Sequence, residues 1–293
     1  MVNRILVTGV SGFLGWNLCQ QLRDDWELYG TYYTHSVQFP GAIFQKVDLT
    51  DFESLKQLFA TVKPAAVIHT AAASQPNFCQ KFPEESARIN VTASINIAGL
   101  CADANIPCIF TSTDLVFDGL HPPYRETDPT CPINYYGEQK VKAEQGMLAR
   151  YPQTAICRMP LMFGEASPAS GSFIQPFIEI LKQGKELTLF VDEIRTPVIA
   201  TTAAAGLLLA LEKQVSGILH LGGRERISRY QFGCLMAEIL QLPLNQIKPC
   251  YQADVPMAAP RSPDVSLDSF LAFSLGYNPL SLYEELTILR IKF

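Results

Sequence analysis

The segment Asn3-Arg4-Ile5-Leu6-Val7-Thr8-Gly9-Val10-Ser11-Gly12-Phe13-Leu14-Gly15 decides the reading of this 293-residue chain. The apolar run Ile5-Leu6-Val7 has the length and branching of a buried strand. It stops at three glycines spaced three apart, after which Leu14, Leu18 and Leu22 recur one helical turn apart. That pattern is a strand, a glycine turn and a helix. Glycine lets the backbone approach a pyrophosphate, and the free amides at the positive helix end face the anion. The spacing is Gly-x-x-Gly-x-x-Gly, not the Gly-x-Gly-x-x-Gly of the standard dinucleotide fingerprint. Taken alone, it is also what an ordinary strand-to-helix turn would carry.

Composition narrows the field. The chain is 48% hydrophobic and 17% charged, with a net charge of -5. That is ample for a buried core and for one large domain or two lobes. The mild acidity disfavours nucleic acid and anionic membranes as partners. No apolar run approaches the roughly 20 residues that cross a bilayer. The N-terminus leads straight into a strand, without the segments of a secretion signal, so a cytoplasmic location is expected. Eight cysteines (Cys19, Cys79, Cys101, Cys108, Cys131, Cys157, Cys234, Cys250) include no Cys-x-x-Cys pair. They read as reduced, small apolar residues. The four histidines (His35, His69, His121, His220) form no ligand pair, and no metal site is expected.

Further strands are expected at residues 26–33, 43–47, 65–69 and 108–112, with helices at about 51–60 and 83–104 between them. Regular alternation of this kind predicts a parallel sheet covered on both faces, doubly wound by right-handed crossovers. Ligands of such sheets bind at the carboxyl ends of the strands. The second strand ends in Thr31-Tyr32-Tyr33-Thr34-His35-Ser36, where a carboxylate would select NAD by its ribose hydroxyls. No acid stands there. Thr34, His35 or Ser36 can instead bond a 2'-phosphate, so NADP(H) is favoured over NAD(H), although that stretch holds no arginine or lysine. The fourth strand ends in Thr70-Ala71-Ala72-Ala73, small enough either to bed a flat ring or simply to pack closely.

The fifth strand runs into Ser112-Thr113-Asp114-Leu115-Val116-Phe117-Asp118-Gly119, followed by a proline-rich loop. Asn134-Tyr135-Tyr136-Gly137-Glu138-Gln139-Lys140 then opens a helix, which places Tyr136 and Lys140 on one face. An ammonium beside a phenol lowers the phenol's pKa and suits it to proton transfer, with Thr113 able to bond the same substrate oxygen.

These motifs resemble the extended short-chain dehydrogenase/reductases, and more narrowly the dTDP-4-dehydrorhamnose reductase family. The segment from Ser112 to Gly119, the Tyr136-Gly137-x-x-Lys140 helix with Glu144, Arg158, Phe163-Gly164 and Pro260-Arg261-Ser262 extend the likeness over nearly the whole chain. The resemblance implies a Rossmann-type domain over residues 1–160 plus about 195–222. A smaller C-terminal α/β substrate lobe would take about 161–194 plus 223–293. It implies NADPH or NADH at Gly9, Gly12, Phe13, Leu14 and Gly15, with adenine contacts near Asp48 and Leu49, and Ser11, Thr34 and His35 join these as cofactor-binding candidates. The nicotinamide side would pass Ala71, Ala72, Ala73, Tyr136 and Lys140. Thr113, Tyr136 and Lys140 would be the catalytic set, with substrate held by Thr113, Asp114, Leu161 and Arg261.

The chain departs from that family at two positions. Leu115 and Leu161 stand where the family carries a tyrosine and a tryptophan that hold the sugar. Leu115 also removes the acid that a 4,6-dehydratase of the same superfamily would need. In the second lobe, Arg195, Arg224, Arg226 and Arg261 are candidates for a substrate diphosphate, though each alone is equally an ordinary salt-bridged or solvated arginine. Arg261 leads, because prolines fix its backbone. The implied function is reduction of a nucleotide-linked 4-keto sugar, and a homodimer is compatible with it. The loss of both aromatics fits a rival resemblance, to the non-catalytic, NADP-binding β subunit of methionine adenosyltransferase. A reductase or epimerase of another nucleotide sugar is the third reading.

Overall fold

In the computed structural model, which describes residues 3–22 and 26–290, strands and helices alternate through the first half. They run β1 (Asn3–Thr8), α1 (Phe13–Cys19), β2 (Trp26–Tyr32), β3 (Ile43–Lys46), α2 (Phe52–Val62), β4 (Ala66–His69), α3 (Pro76–Lys81), α4 (Pro83–Ala87), α5 (Ala93–Ala104), β5 (Cys108–Thr113) and α6 (Tyr135–Arg150). The second half continues with β6 (Ala155–Met159), β7 (Met162–Phe163), α7 (Ile174–Lys182), β8 (Leu187–Phe190), β9 (Ile194–Arg195), β10 (Val198–Ile199) and α8 (Ala200–Glu212). It closes with β11 (Gly217–His220), β12 (Ile227–Ser228), α9 (Arg229–Ile239), β13 (Ile247–Cys250), α10 (Phe270–Leu275) and α11 (Leu282–Arg290).

The central sheet has seven strands in the order β11-β6-β5-β4-β1-β2-β3, every neighbouring pair parallel. The winding reverses between β1 and β4, where Thr8 lies beside His69. That is the crevice in which doubly wound sheets hold their ligands. Continuous apolar runs follow from burial on both faces. Ile5 and Val7 pack with Leu14, Leu18 and Leu207 under α1 and α8. Leu6, Val67 and Phe110 pack with Leu55, Ile97 and Met147 on the opposite side. A third cluster, with Phe163, Ile178, Leu187, Phe232 and Leu286, joins α7, α9 and α11 to the short strands.

Helix starts are marked by side chains. Asp51 accepts from the Glu53 amide, Asn134 from Gly137, and Ser228 forms a full capping box with Gln231. Two details differ from expectation. The single helix expected at 83–104 is α4 and α5 joined by a π-helical turn, Arg88–Thr92, with α3 packed before it. That turn buries Asn90, whose amide is used elsewhere in the core. The first helix ends at Cys19, and Leu22 reaches the same core from beyond its last turn.

Two histidines are fully buried and neutral. His69 bridges Thr8 Oγ1 at 2.6 Å and Ser94 Oγ at 3.0 Å, and burial depresses its pKa to about 3. His220 stands between the carbonyls of Tyr124 and Asp268, with Arg158 beside it, and is likewise lowered to about 3. Each contributes stability that is complete above its ordinary value of about 6.5 and is lost as pH falls toward 3. Two buried acids oppose this over part of the range. Glu285 is raised to about 7 and Asp114 to about 6, so both favour folding as pH drops toward their ordinary values. The acid loss should therefore steepen below about pH 4, by about 1.4 kcal/mol per pH unit for each histidine. Urea midpoints measured from pH 7 to 3.5 check this. A midpoint that stays level below pH 4.5 contradicts it.

Candidate active site

At the carboxyl end of β1 the glycines are demanded by close contact. Gly9 has φ +76°, and a Cβ there would lie 2.8 Å from the Ala71 backbone. A Cβ on Gly15 would lie 2.3 Å from the Gly9 carbonyl oxygen. The Gly12 amide donates back to that carbonyl at 2.9 Å, while the Gly9 and Val10 amides donate to Thr31. The turn is thus a tight loop of bare backbone drawn against Ala71 at the sheet's switch point. It fits a dinucleotide pyrophosphate on the physical grounds that glycine turns of this kind serve. Ala71 is part of the close packing, and Ala73 is clamped at both its amide and its carbonyl by Asn90.

The end of β5 and the start of α6 meet one crossover away. Thr113 caps a short 3₁₀ turn, accepting from the Leu115 amide at 3.2 Å and donating to Asp114 Oδ1 at 3.1 Å. Gly137 explains how α6 reaches this turn, since a Cβ there would lie 2.2 Å from the Leu115 carbonyl oxygen. Contact that close brings Tyr136 beside Thr113, whose hydroxyl favours the ionised form of the phenol. Both residues are buried. One helical turn on, Lys140 Nζ donates to the Thr111 carbonyl at 2.6 Å and stands 4.1 Å over the Phe110 ring.

The electrostatics correct one expectation. Lys140 does not acidify the Tyr136 phenol here. Burial pushes the phenol well above its ordinary value, with Cys79 and Asp114 adding to the rise and Thr113 offsetting part of it. Spacing of four residues puts Lys140 on the correct face, but the Thr111 carbonyl claims its ammonium. Burial lowers Lys140 itself to about 7, against an upward pull from Glu144 and Cys79.

Asp114 is 4% exposed and raised to about 6, chiefly by burial and against the pull of Arg195. Its Oδ2 has no hydrogen-bond partner, although Arg195 Nε stands 3.7 Å away. Arg195 is no surface arginine, being 4% exposed and bonded to the carbonyls of Ile194 and Ser262, with Glu193 at 3.5 Å. Arg224 is engaged by Pro279 and Asn278, and Arg226 by Asp264. Arg261 is the least committed of the four candidates, with one long bond of 3.4 Å to Asn77. Its segment is held beside the α6 start, because Asn134 donates to the Pro260 carbonyl and Asn77 accepts from the Ala259 amide. Leu115 packs against the cluster of Val116, Phe117 and Tyr124, and Leu161 is half-buried. Thr34 and His35 are exposed at the end of β2, while Asp48 Oδ1 is taken by the Thr50 amide and hydroxyl. Leu49 lies partly buried against the α2 side.

The family model described as the RmlD substrate binding domain matches residues 3–285. The chain belongs to this family. It is 31% identical over 273 residues to methionine adenosyltransferase 2 subunit beta of Xenopus laevis, covering 90% of this chain and 80% of that protein. It is 30% identical over 292 residues to the probable low-salt glycan biosynthesis reductase Agl14 of Haloferax volcanii, covering 98% of this chain and 97% of that protein. Its fold is that of a dTDP-4-dehydrorhamnose reductase from Bacillus anthracis, solved in complex with NADP, with a TM-score of 0.90 at 21% identity over 100% of both chains. The architecture is the Rossmann-like one of the extended short-chain reductases, as the motifs imply. No helix among the described residues is long and apolar enough to cross a membrane.

Several supporting residues carry no sequence signal. Ser167 donates to the Ser11 carbonyl at 2.8 Å, and Asn17 donates to the Glu165 carbonyl at 3.0 Å, so the loop after β7 is tied to the glycine turn. Asn90, Gln139 and Ser86 form a buried amide-hydroxyl chain that ties α6 to the segment at Ala73. These are polar side chains in otherwise helical stretches, and only the tertiary contacts distinguish them from solvated ones.

Proposed function

We propose that this chain is an NAD(P)H-dependent reductase of a nucleotide-linked 4-keto sugar, acting in the manner of the dTDP-4-dehydrorhamnose reductases. The observation that carries the reading is the buried meeting of Thr113 and Tyr136 beside Lys140, next to a glycine turn at the sheet's switch point. In this reading Gly9, Ser11, Gly12, Phe13, Leu14 and Gly15 hold the dinucleotide's pyrophosphate. Thr34, His35, Asp48 and Leu49 border its adenosine, and Ala71, Ala72, Ala73, Tyr136 and Lys140 its nicotinamide riboside. When bound, the reduced nicotinamide supplies a hydride for the C4 carbonyl carbon.

The chain's own residues manage the oxygen. Tyr136, protonated at neutral pH by its burial, gives its phenolic proton to the carbonyl oxygen as negative charge develops there. The Thr113 hydroxyl, fixed at the β5 end, turns its one proton from Asp114 Oδ1 to the same oxygen. Lys140 keeps two N–H donors beyond its bond to Thr111 and uses them on the cofactor ribose. Asp114 offers its unpartnered oxygen to a sugar hydroxyl, with Arg261 at the diphosphate and Leu161 against the ring.

A second reading is supported by Leu115 and Leu161 and by the likeness to a methionine adenosyltransferase subunit: a dinucleotide-binding partner protein without turnover. One experiment separates the two. The protein is incubated with NADPH and a panel of nucleotide-linked 4-keto sugars, and loss of reduced-nicotinamide absorbance is followed. Consumption with at least one sugar supports the reductase. Tight NADPH binding with no consumption across the panel favours the partner protein.

A further inference from the structure

At the end of β2 the sequence offers a 2'-phosphate only uncharged hydrogen-bonding groups, but the fold delivers a cation to the same place from another strand. β3 pairs with β2 in parallel, Gly30 opposite Phe44 and Tyr32 opposite Lys46. The register is locked at Gly30. A Cβ there would lie 2.5 Å from Val10 Cγ1 and 2.7 Å from the Phe44 ring, so these side chains close over the bare glycine. Phe44 also packs on Phe39, which meets Trp16 of α1, so this face of β3 looks toward α1 and the glycine turn.

Lys46 is two residues beyond Phe44, hence on the same face and one pleat nearer the carboxyl edge. Its ammonium stands 5.9 Å from the centroid of the exposed Tyr33 ring, the residue that leads into Thr34, His35 and Ser36. No carboxylate among the described residues pairs with it. The nearest acid in sequence, Asp48, turns its Oδ1 onto Thr50. The other charged pair on this part of the sheet, Arg4 with Glu27, lies at the amino end of β2, far along the strand.

We propose that Lys46 is the residue that selects NADP(H) over NAD(H), by placing an uncommitted ammonium from β3 at the 2'-phosphate position beyond β2. The inference rests on the dinucleotide reading above and adds to it the group that discriminates. No acid stands in the segment that ends β2, so nothing in it repels the phosphate. Lys46 supplies the attraction that the end of β2 lacks. Thr34, His35 and Ser36 complete the hydrogen bonding around it.

The test needs no sugar substrate. Dissociation constants of NADPH and NADH are measured by titration for the wild type, Lys46→Ala, Lys46→Arg and Lys46→Glu. Lys46 is exposed, so these variants keep the fold. Lys46→Ala should weaken NADPH by about ten- to a hundredfold, the range of one hydrogen bond to a charged group, and leave NADH unchanged. Lys46→Arg should keep the preference, Lys46→Glu should reverse it, and added salt should erode it in the wild type. Equal weakening of both cofactors, or none, overturns the assignment of Lys46 while leaving the dinucleotide site in place. A wild type that binds neither cofactor overturns both.

Discussion

Replacing Tyr136 by phenylalanine should lower turnover by about 10²–10⁴-fold, the usual range for removing a general acid. The phenol is 8% exposed and its pKa is raised by burial, so at neutral pH it holds its proton until a stronger base forms nearby. The developing alkoxide of a reduced carbonyl is such a base. Phenylalanine fills the same space and preserves the contact of Gly137 with Leu115, so the α6 start should stay in place. The loss should therefore appear in kcat, with the dissociation constant for NADPH and the melting midpoint close to wild type. Thr113→Val gives the companion result. Its loss should be smaller, because it removes a hydrogen bond and leaves the proton source. Undiminished turnover in Tyr136→Phe would remove this residue as the acid, and with it the mechanism.

What the sequence disclosed, and what it hid, divides along physical lines. Strands β1, β4 and β5 are legible because burial on both faces forces continuous apolar runs, and the glycines because backbone contact at Gly9 and Gly15 excludes a side chain. Thr113 and Tyr136 are legible as a pair because one ends strand β5 and the other opens the next long helix, α6. The ionisation of Tyr136 is not. Helical spacing states which face Lys140 occupies, but not that the Thr111 carbonyl, 29 residues earlier, captures its ammonium. Arg195 hides for a related reason. A lone arginine in a polar loop gives no sign that β9 carries it inward to Asp114 and Ser262. Two-residue strands such as β9 and β12 have too little length for any period to show. Lys46 goes unseen because the deciding fact is a register between strands, which local sequence does not encode.

The second large effect belongs to the interior of the sheet. Glu144→Ala should destabilise the fold by about 3–5 kcal/mol, as expected when one partner of a buried ion pair is removed. Arg158 and Glu144 are 1% and 3% exposed and meet through two bonds, Nε to Oε1 at 3.1 Å and a terminal guanidinium nitrogen to Oε2 at 2.8 Å. Ser112 adds a 2.5 Å bond to the same carboxylate, and the Arg158 guanidinium lies 5.0 Å over the Phe117 ring, with His220 at 3.3 Å. Without Glu144 the guanidinium is left charged in the core, facing a neutral histidine that cannot compensate it. The expected loss is the desolvation of that lone charge rather than the worth of the pair. Glu144→Leu combined with Arg158→Met should therefore be more stable than Glu144→Ala alone, although Ser112 and His220 each lose a partner. Glu144 is one helical turn beyond Lys140, so the single variant should also loosen α6 and lower turnover without touching the substrate. Denaturant titrations of the wild type, Glu144→Ala and the double variant decide the matter. A cost below about 1 kcal/mol for Glu144→Ala, or a double variant no better than the single, would show that the charge finds solvent and that the pair does not set the position of α6.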